Sequence, residues 1–156
     1  MSTIHPWERR IYIDTEFSDL ETPELISIAM VAEDGPKLYG ELADFDRDAC
    51  SDFVRVNVLP LLGKIPEQMM KRDALRDAVQ TWMSQFAGLK QRPVICYDHP
   101  IDVQLLWDLI GGRPPGWKMK LISSGIDPVT REQYFREYGG RHHALYDARA
   151  NRAAYR

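Results

Sequence analysis

The chain has few of the residues that build disulfide frameworks or zinc sites, and it has no long apolar run. Its 156 residues include only two cysteines, Cys50 and Cys96, which form no C-x-x-C pair, so neither a disulfide framework nor a zinc cluster is indicated. The longest apolar run, Leu25–Ala32, is interrupted by Ser27 and is far too short to span a bilayer. The N-terminus does not resemble a signal peptide. We therefore expect two reduced thiols in a cytoplasmic protein without a membrane partner.

Length and hydrophobic periodicity predict one α/β domain over residues 1–156. A hydrophobic content of 44% suits a single core and leaves little room for a second domain. Alternating apolar residues predict strands over Arg10–Phe17, Leu25–Glu33, Lys37–Leu42, Pro93–Tyr97 and Trp117–Ile122. Helical spacing predicts helices over Asp46–Val58, Lys71–Leu89, Ile101–Ile110, Asp127–Tyr138 and His143–Arg156. This order predicts a mixed five-stranded sheet, with three antiparallel strands and then parallel ones, flanked by helices.

The most informative segment is Ile11–Phe17, with the sequence IYIDTEF. In an extended strand, side chains at positions i and i+2 leave the same face, so Asp14 and Glu16 point into one region. Carboxylate oxygens are hard ligands suited to Mg²⁺ or Mn²⁺. Acidic residues at strand ends often simply face water, so the pair alone does not establish a metal site.

Two later segments carry further acidic residues near a strand end and a helix start. In PVICYDHPIDVQLL, a β-like run precedes Asp98 and Asp102, and in RHHALYDARANR, His142 lies five positions before Asp147. Five residues on an ideal helix turn through about 500°, so these last two side chains cannot share a face if both are helical. We therefore expect His142 on the loop that leads into the last helix.

In this order, the three acidic segments resemble the DEDD family of 3′→5′ exonucleases, in its His-containing subtype, on a ribonuclease-H-like fold. The first motif matches as Asp14-Thr15-Glu16, the second as Asp102, and the third as H-x-A-L-x-D-A over His142–Ala148. The resemblance spans about residues 10 to 155, nearly the whole chain. Within the family, the chain is most similar to compact exoribonucleases of the mycobacterial ribonuclease AS type, through DTEF, LISIAMVAEDG and the C-terminal motif.

This resemblance implies hydrolysis of phosphodiesters with two divalent ions, Mg²⁺ or Mn²⁺, as cofactors. Asp14 would bridge both ions. Glu16 and Asp147 would complete one site, and Asp102 would support the other. His142 would be the general base that takes a proton from the attacking water, a task suited to a group with a near-neutral pKa.

Other residues in the matched motifs have less direct assignments. Asp98 lies four positions before Asp102 and is the alternative metal ligand, although the family pattern favours it as a helper at the substrate. Phe17 and Ser18 occupy the position where the family meets the terminal nucleotide, so we expect them to bind substrate. A Phe buried at a strand end is the alternative. His143 stands at the variable position of its motif and is expected to be a bystander.

The expected substrate is the 3′ end of single-stranded RNA, adenine-rich if the similarity to the ribonuclease AS type holds, and the expected assembly is a homodimer. RNA is preferred over DNA through the resemblance alone, since discrimination requires a contact to the 2′-hydroxyl. The formal net charge of −3 does not suit tight binding of long duplexes. Basic residues nevertheless recur near the proposed site at Arg141, Arg149 and Arg152, and elsewhere at Lys118 and Lys120.

Three alternatives stay open at this point. A DNA-directed exonuclease of the same family would share every motif. A non-catalytic nucleic-acid-binding module would keep the fold without the chemistry, but it would have no reason to retain the complete set of acidic residues and His142. A ribonuclease-H-like endonuclease is disfavoured by the H-x-A-L-x-D-A ending.

Overall fold

A computed structural model describes residues 6–156 as one mixed sheet with helices on both faces. The strands are β1 (Glu8–Phe17), β2 (Leu25–Ala32), β3 (Lys37–Leu42), β4 (Met69–Met70), β5 (Arg92–Tyr97) and β6 (Lys118–Leu121). The α-helices are α1 (Asp52–Asn57), α2 (Arg72–Ser84), α3 (Pro100–Ile110), α4 (Pro128–Tyr138) and α5 (Ala144–Ala154). The strand order in space is β4-β3-β2-β1-β5-β6.

The sheet confirms the predicted sequence of strand directions. Strands β1, β2 and β3 form an antiparallel meander, and β5 and β6 then add in parallel to β1 and to each other. The prediction of five strands missed β4, which pairs in parallel with β3 through two residues. A strand of that length is too short to show an alternating pattern.

The predicted helix over Asp46–Val58 is two shorter elements. A 3₁₀ turn over Arg47–Ala49 precedes α1, and Cys50 and Ser51 separate the two elements. The Ser51 hydroxyl accepts a hydrogen bond from the Val54 backbone N–H, as expected of an N-cap residue. The cap therefore starts a new helix where the hydrophobic pattern suggested a continuous one.

Alternation along β1 divides its side chains between two cores. Ile11 and Ile13 pack on the side of α2 and α3. Tyr12 lies on the opposite face, where it packs with Ala144 and Ala148 of α5. Small alanine side chains let α5 approach the sheet closely, and this helix covers the face from which the alternate residues of β1 project.

Both cysteines are buried and free, as predicted. Cys96 lies within β5, and Cys50 packs beside α1. None of the helices within residues 6–156 has the length and apolar character that a membrane span requires.

Candidate active site

The end of β1 supplies two carboxylates to the face covered by α5. Asp14 pairs with Ala29 of β2, and the register shifts only beyond Glu16, so both acidic residues still belong to the regular part of the strand. Asp14 is buried with 8% of its surface exposed, and Glu16 is half-buried. The predicted common orientation of the two side chains is consistent with the clusters that they form.

Two groups of carboxylates meet at Asp14. Ligand atoms of Asp14, Glu16 and Asp147 all lie within 4.8 Å of one another. A second set, made by Asp14, Asp98 and Asp102, satisfies the same limit. Two adjoining groups that share one carboxylate suit two divalent ions close together. Because Asp98 and Asp102 belong to the same group, their distances alone do not decide which of them is the ligand.

Asp102 belongs to α3, and two hydrogen bonds from Thr15 of β1 hold its side chain in place. The backbone N–H and the hydroxyl of Thr15 both donate to Asp102 Oδ1, over 3.2 and 2.7 Å. Asp102 is 2% exposed. Its Oδ2 atom, like Oδ2 of Asp14, is buried without a hydrogen-bond partner among the described residues. Buried carboxylate oxygens that lack donors are well suited to ligate a cation, so the residues fit the expected metal pair.

Burial raises the pKa of all four matched carboxylates. Burial followed by repulsion from Asp102 raises the pKa of Asp14 well above its usual range. Burial likewise raises the pKa of Glu16 to about 9, that of Asp102 to about 8 and that of Asp147 to about 6. Four carboxylates in this setting hold their charge poorly without cations, which is typical of an acidic metal site.

Asp98 differs from Asp102 in its surroundings. Its Oδ2 atom lies 3.6 Å from an Arg131 guanidinium nitrogen, and its side chain is 18% exposed. Arg131 belongs to α4, and its guanidinium group also lies 5.8 Å from the centre of the Phe135 ring. Sequence reasoning missed this arginine because no motif marks it. A partly exposed, cation-paired Asp98 agrees with a helper at the substrate, and that role stays a prediction.

His142 lies on the turn between α4 and α5, as predicted. Its φ is +70°, which is uncommon for a residue other than glycine. Its backbone N–H donates to Asp147 Oδ1 over 3.3 Å, and its ring meets the Phe53 ring edge-on at 5.0 Å. Burial and the Arg141 charge lower the pKa of His142. This shift favours the neutral imidazole, which is the form that can accept a proton.

His143, the next residue in the chain, packs its ring against two tyrosines. Its ring stacks on Tyr39 of β3 at 4.7 Å and meets Tyr146 edge-on at 5.3 Å. Its surroundings are those of a packing residue, which agrees with its expected role as a bystander.

An apolar cavity of about 310 Å³ adjoins the carboxylates. It is lined by Glu16, Phe17, Asp19, Leu20, Ser51, Phe53 and Val54. Phe17 therefore forms part of a wall beside the site. Ser18 is buried and its hydroxyl accepts from the Glu24 backbone N–H over 3.0 Å, so its contact with substrate stays a prediction. Sequence reasoning missed Phe53, which is 56% exposed on the short helix α1, because no motif marks it.

Sequence comparison identifies relatives with a described activity. Over 114 residues, the chain is 33% identical to proteins named 3′-5′ exoribonuclease from two strains of Mycobacterium tuberculosis, CDC 1551 and H37Rv. The matched region covers 68% of this chain and 66% of those relatives, so the similarity reaches about two thirds of their length. No protein-family model matches the chain.

Solved structures share the fold at low sequence identity. The nuclease domain of 3′hExo, described as a DEDDh family member bound to rAMP, has a TM-score of 0.58 at 14% identity, with coverage of 94% of this chain and 89% of that one. Cell-death related nuclease 4 has a TM-score of 0.61 at 14% identity, with coverage of 94% and 62%. With its ribonuclease-H-like fold, its clustered carboxylates and its mycobacterial relatives, the chain belongs to the DEDDh family of 3′→5′ exonucleases.

Proposed function

We propose that this protein is a metal-dependent 3′→5′ exoribonuclease that releases nucleoside monophosphates from single-stranded RNA ends. The observation that carries the proposal is the position of Asp14 in two adjoining carboxylate groups, one of which includes the Asp147 side chain that His142 contacts. RNA is favoured as substrate by the activity named for the mycobacterial relatives.

The expected chemistry is an in-line displacement at phosphorus. A pair of divalent ions, when bound, supplies charge stabilisation for the attacking and leaving oxygens. Glu16 and Asp147 would hold one ion and Asp102 the other, with Asp14 shared. His142 would accept a proton from water as the water oxygen bonds to phosphorus. In the same displacement the bond from phosphorus to the 3′ oxygen of the preceding nucleotide breaks, that oxygen takes up a proton from solvent to become a 3′-hydroxyl, and a nucleoside 5′-monophosphate is released.

The terminal base would bind in the apolar cavity beside Glu16. Phe17 and Phe53 both line it, and aromatic rings stack on any base. Phe53 also contacts the His142 ring, so a base held there would sit next to the general base.

Three finer features come from the family resemblance and stay predictions. These are an adenine-rich substrate, a homodimer and a cytoplasmic location. The preference for RNA over DNA belongs with them, since the contact to the 2′-hydroxyl that it requires has no assigned residue.

The test is hydrolysis of 5′-labelled single-stranded RNA and DNA of equal sequence with Mg²⁺ or Mn²⁺. The expected result is a ladder that shortens from the 3′ end, faster for RNA, and that disappears with a chelator or with Asp14→Asn. The matched control is Asp73→Asn, which makes the same chemical change at an exposed residue of α2 and should leave the ladder unchanged. Failure to shorten either polymer would refute the proposal, and cleavage of a circular RNA would indicate an endonuclease instead.

A further inference from the structure

A second cavity, here called the basal cavity, opens at the end of the sheet opposite the carboxylates. It has a volume of about 630 Å³. Its position follows from the register, in which Arg92 at the start of β5 lies beside Glu8 at the start of β1, whereas Asp14 lies near the end of β1. Phe86 and Trp117 form its buried apolar floor.

The polar rim of the basal cavity is cationic. Arg92, Arg113 and Lys118 line it, and all three are exposed. No aspartate or glutamate is among the lining residues. Within residues 6–156, none of the three cations forms an ion pair. A carboxylate-free group of three unpaired cations is unexpected on a protein whose net charge is −3, and it favours an anionic ligand.

Positive charge continues from this cavity along the edge of the sheet. Lys118 and Lys120 alternate on β6, which is the last strand of the sheet, so both leave the same face. Lys120 is paired in register with Cys96 and lies nearer the carboxylates than Lys118, which is paired with Val94. The six residues of β5 separate the two ends by roughly 20 Å, at about 3.3 Å per residue. A single strand of several nucleotides can span this distance.

We propose that the basal cavity binds backbone phosphates of the RNA strand upstream of the 3′ end that occupies the active site. The identity of the ligand rests on the proposed function. Arginine guanidinium groups bind phosphate oxygens through paired hydrogen bonds, and Lys118 adds a third charge. The floor of the cavity is apolar, and its polar rim consists of the three cations and one amide side chain, Gln91. We therefore expect the cavity to bind RNA through its phosphates, without selecting a base sequence.

The test compares binding of a trimer and a 12-mer of single-stranded RNA by fluorescence anisotropy, with a chelator present to remove the contribution of metals. The variant Arg92→Gln/Arg113→Gln/Lys118→Gln removes the three cations. We expect the wild-type protein to bind the 12-mer about tenfold or more tighter than the trimer, and the variant to lose that difference. The slope of log K against log salt for the 12-mer should fall by roughly 2, at about 0.7 for each lost phosphate contact.

The control removes the same charge from the opposite edge of the sheet, with Lys37→Gln/Lys64→Gln/Lys71→Gln. These lysines are exposed, and this variant should bind the 12-mer as the wild-type protein does. Equal loss in both variants would show a general charge effect and overturn the proposal. Binding of poly-glutamate as tightly as the 12-mer would also overturn it, because the site would then suit an acidic protein segment.

A second measurement uses the wild-type protein and so does not depend on the folding of any variant. A 12-mer with 4-thiouridine in its 5′ half should crosslink to peptides from residues 87–92 or 113–118, and crosslinks confined to other surfaces would contradict the proposal.

The experiments distinguish failure of the exonuclease proposal from failure of the basal-cavity proposal. RNA binding that depends on the three cations without any hydrolysis would refute the exonuclease alone. Hydrolysis with 12-mer binding unaffected by the cation variant would refute the basal cavity alone.

Discussion

Two adjacent histidines have opposite surroundings. His142 contacts Asp147 through its backbone and Phe53 through its ring, whereas the His143 ring packs between Tyr39 and Tyr146. His142→Ala should therefore lower kcat about 10²–10⁴-fold, the usual contribution of a general base. His143→Ala should instead lower the free energy of unfolding by about 1 kcal/mol through lost ring contacts and change kcat only a few-fold. Single-turnover hydrolysis and thermal melting measure the two effects, and equal kcat losses would contradict the assignment.

Thr15 lies between the proposed ligands Asp14 and Glu16 in the sequence, and its side chain orients a third proposed ligand, Asp102. Its hydroxyl donates to Asp102 Oδ1 over 2.7 Å, so Thr15→Val keeps the shape of the side chain and removes that hydrogen bond. Loss of a hydrogen bond that orients a metal ligand typically costs 10–100-fold in metal affinity or activity. We expect a higher Mg²⁺ concentration for half-maximal rate, and Thr15→Ser should restore the wild-type value. A variant with unchanged Mg²⁺ dependence would show that Thr15 has only a packing role.

At the scale of elements, the turn from α4 to α5 fixes His142. Gly140 has a φ of +79°, and a Cβ there would overlap the Tyr146 ring; Gly139 has a φ of +70° with open space around it. Alanine at either position should destabilise the fold by about 1–3 kcal/mol through backbone strain. Only Gly140→Ala should also displace the turn and lower kcat. In Gly140→Ala/Tyr146→Gly both the Tyr146 ring and its Cβ, the atoms that the new methyl group would overlap, are absent, so kcat should recover relative to Gly140→Ala. Equal kcat for Gly139→Ala and Gly140→Ala would contradict this explanation.

Local patterns predicted the main strands, the helices and the position of His142, because alternation and helical spacing are properties of short segments. Contacts between distant segments were not visible in the same way. Thr15 and Asp102 are 87 positions apart, and the Arg131–Asp98 pair and the Phe53–His142 contact likewise join separate elements. No periodicity encodes such pairs, since they depend on how α1, α3 and α4 pack around the end of β1.

For the whole molecule, the carboxylate cluster links stability to pH and to metal ions. Burial raises the pKa of Glu16 to about 9, that of Asp102 to about 8 and that of Asp147 to about 6. Because these folded-state values lie above the unfolded ones, the contribution to stability is fully present below about pH 4 and is lost as pH rises through about 6 to 9. The metal-free protein should therefore melt at a lower temperature at pH 9 than at pH 6.

Divalent ions should oppose this loss, because they bind the ionised carboxylates of the folded state. Mg²⁺ at about 100 times its Kd adds about 2.7 kcal/mol, or roughly 5–10 °C in Tm for a chain of this size, with a larger effect at pH 9 than at pH 6. Asp14→Asn removes the carboxylate shared by both groups, so its metal-free Tm should rise while its response to Mg²⁺ disappears. Circular dichroism melts with chelator or Mg²⁺ measure both quantities. If the Tm of the wild-type protein did not change with Mg²⁺ at pH 9, the cluster would bind no ion, because a ligand that binds only the folded state must raise Tm by mass action.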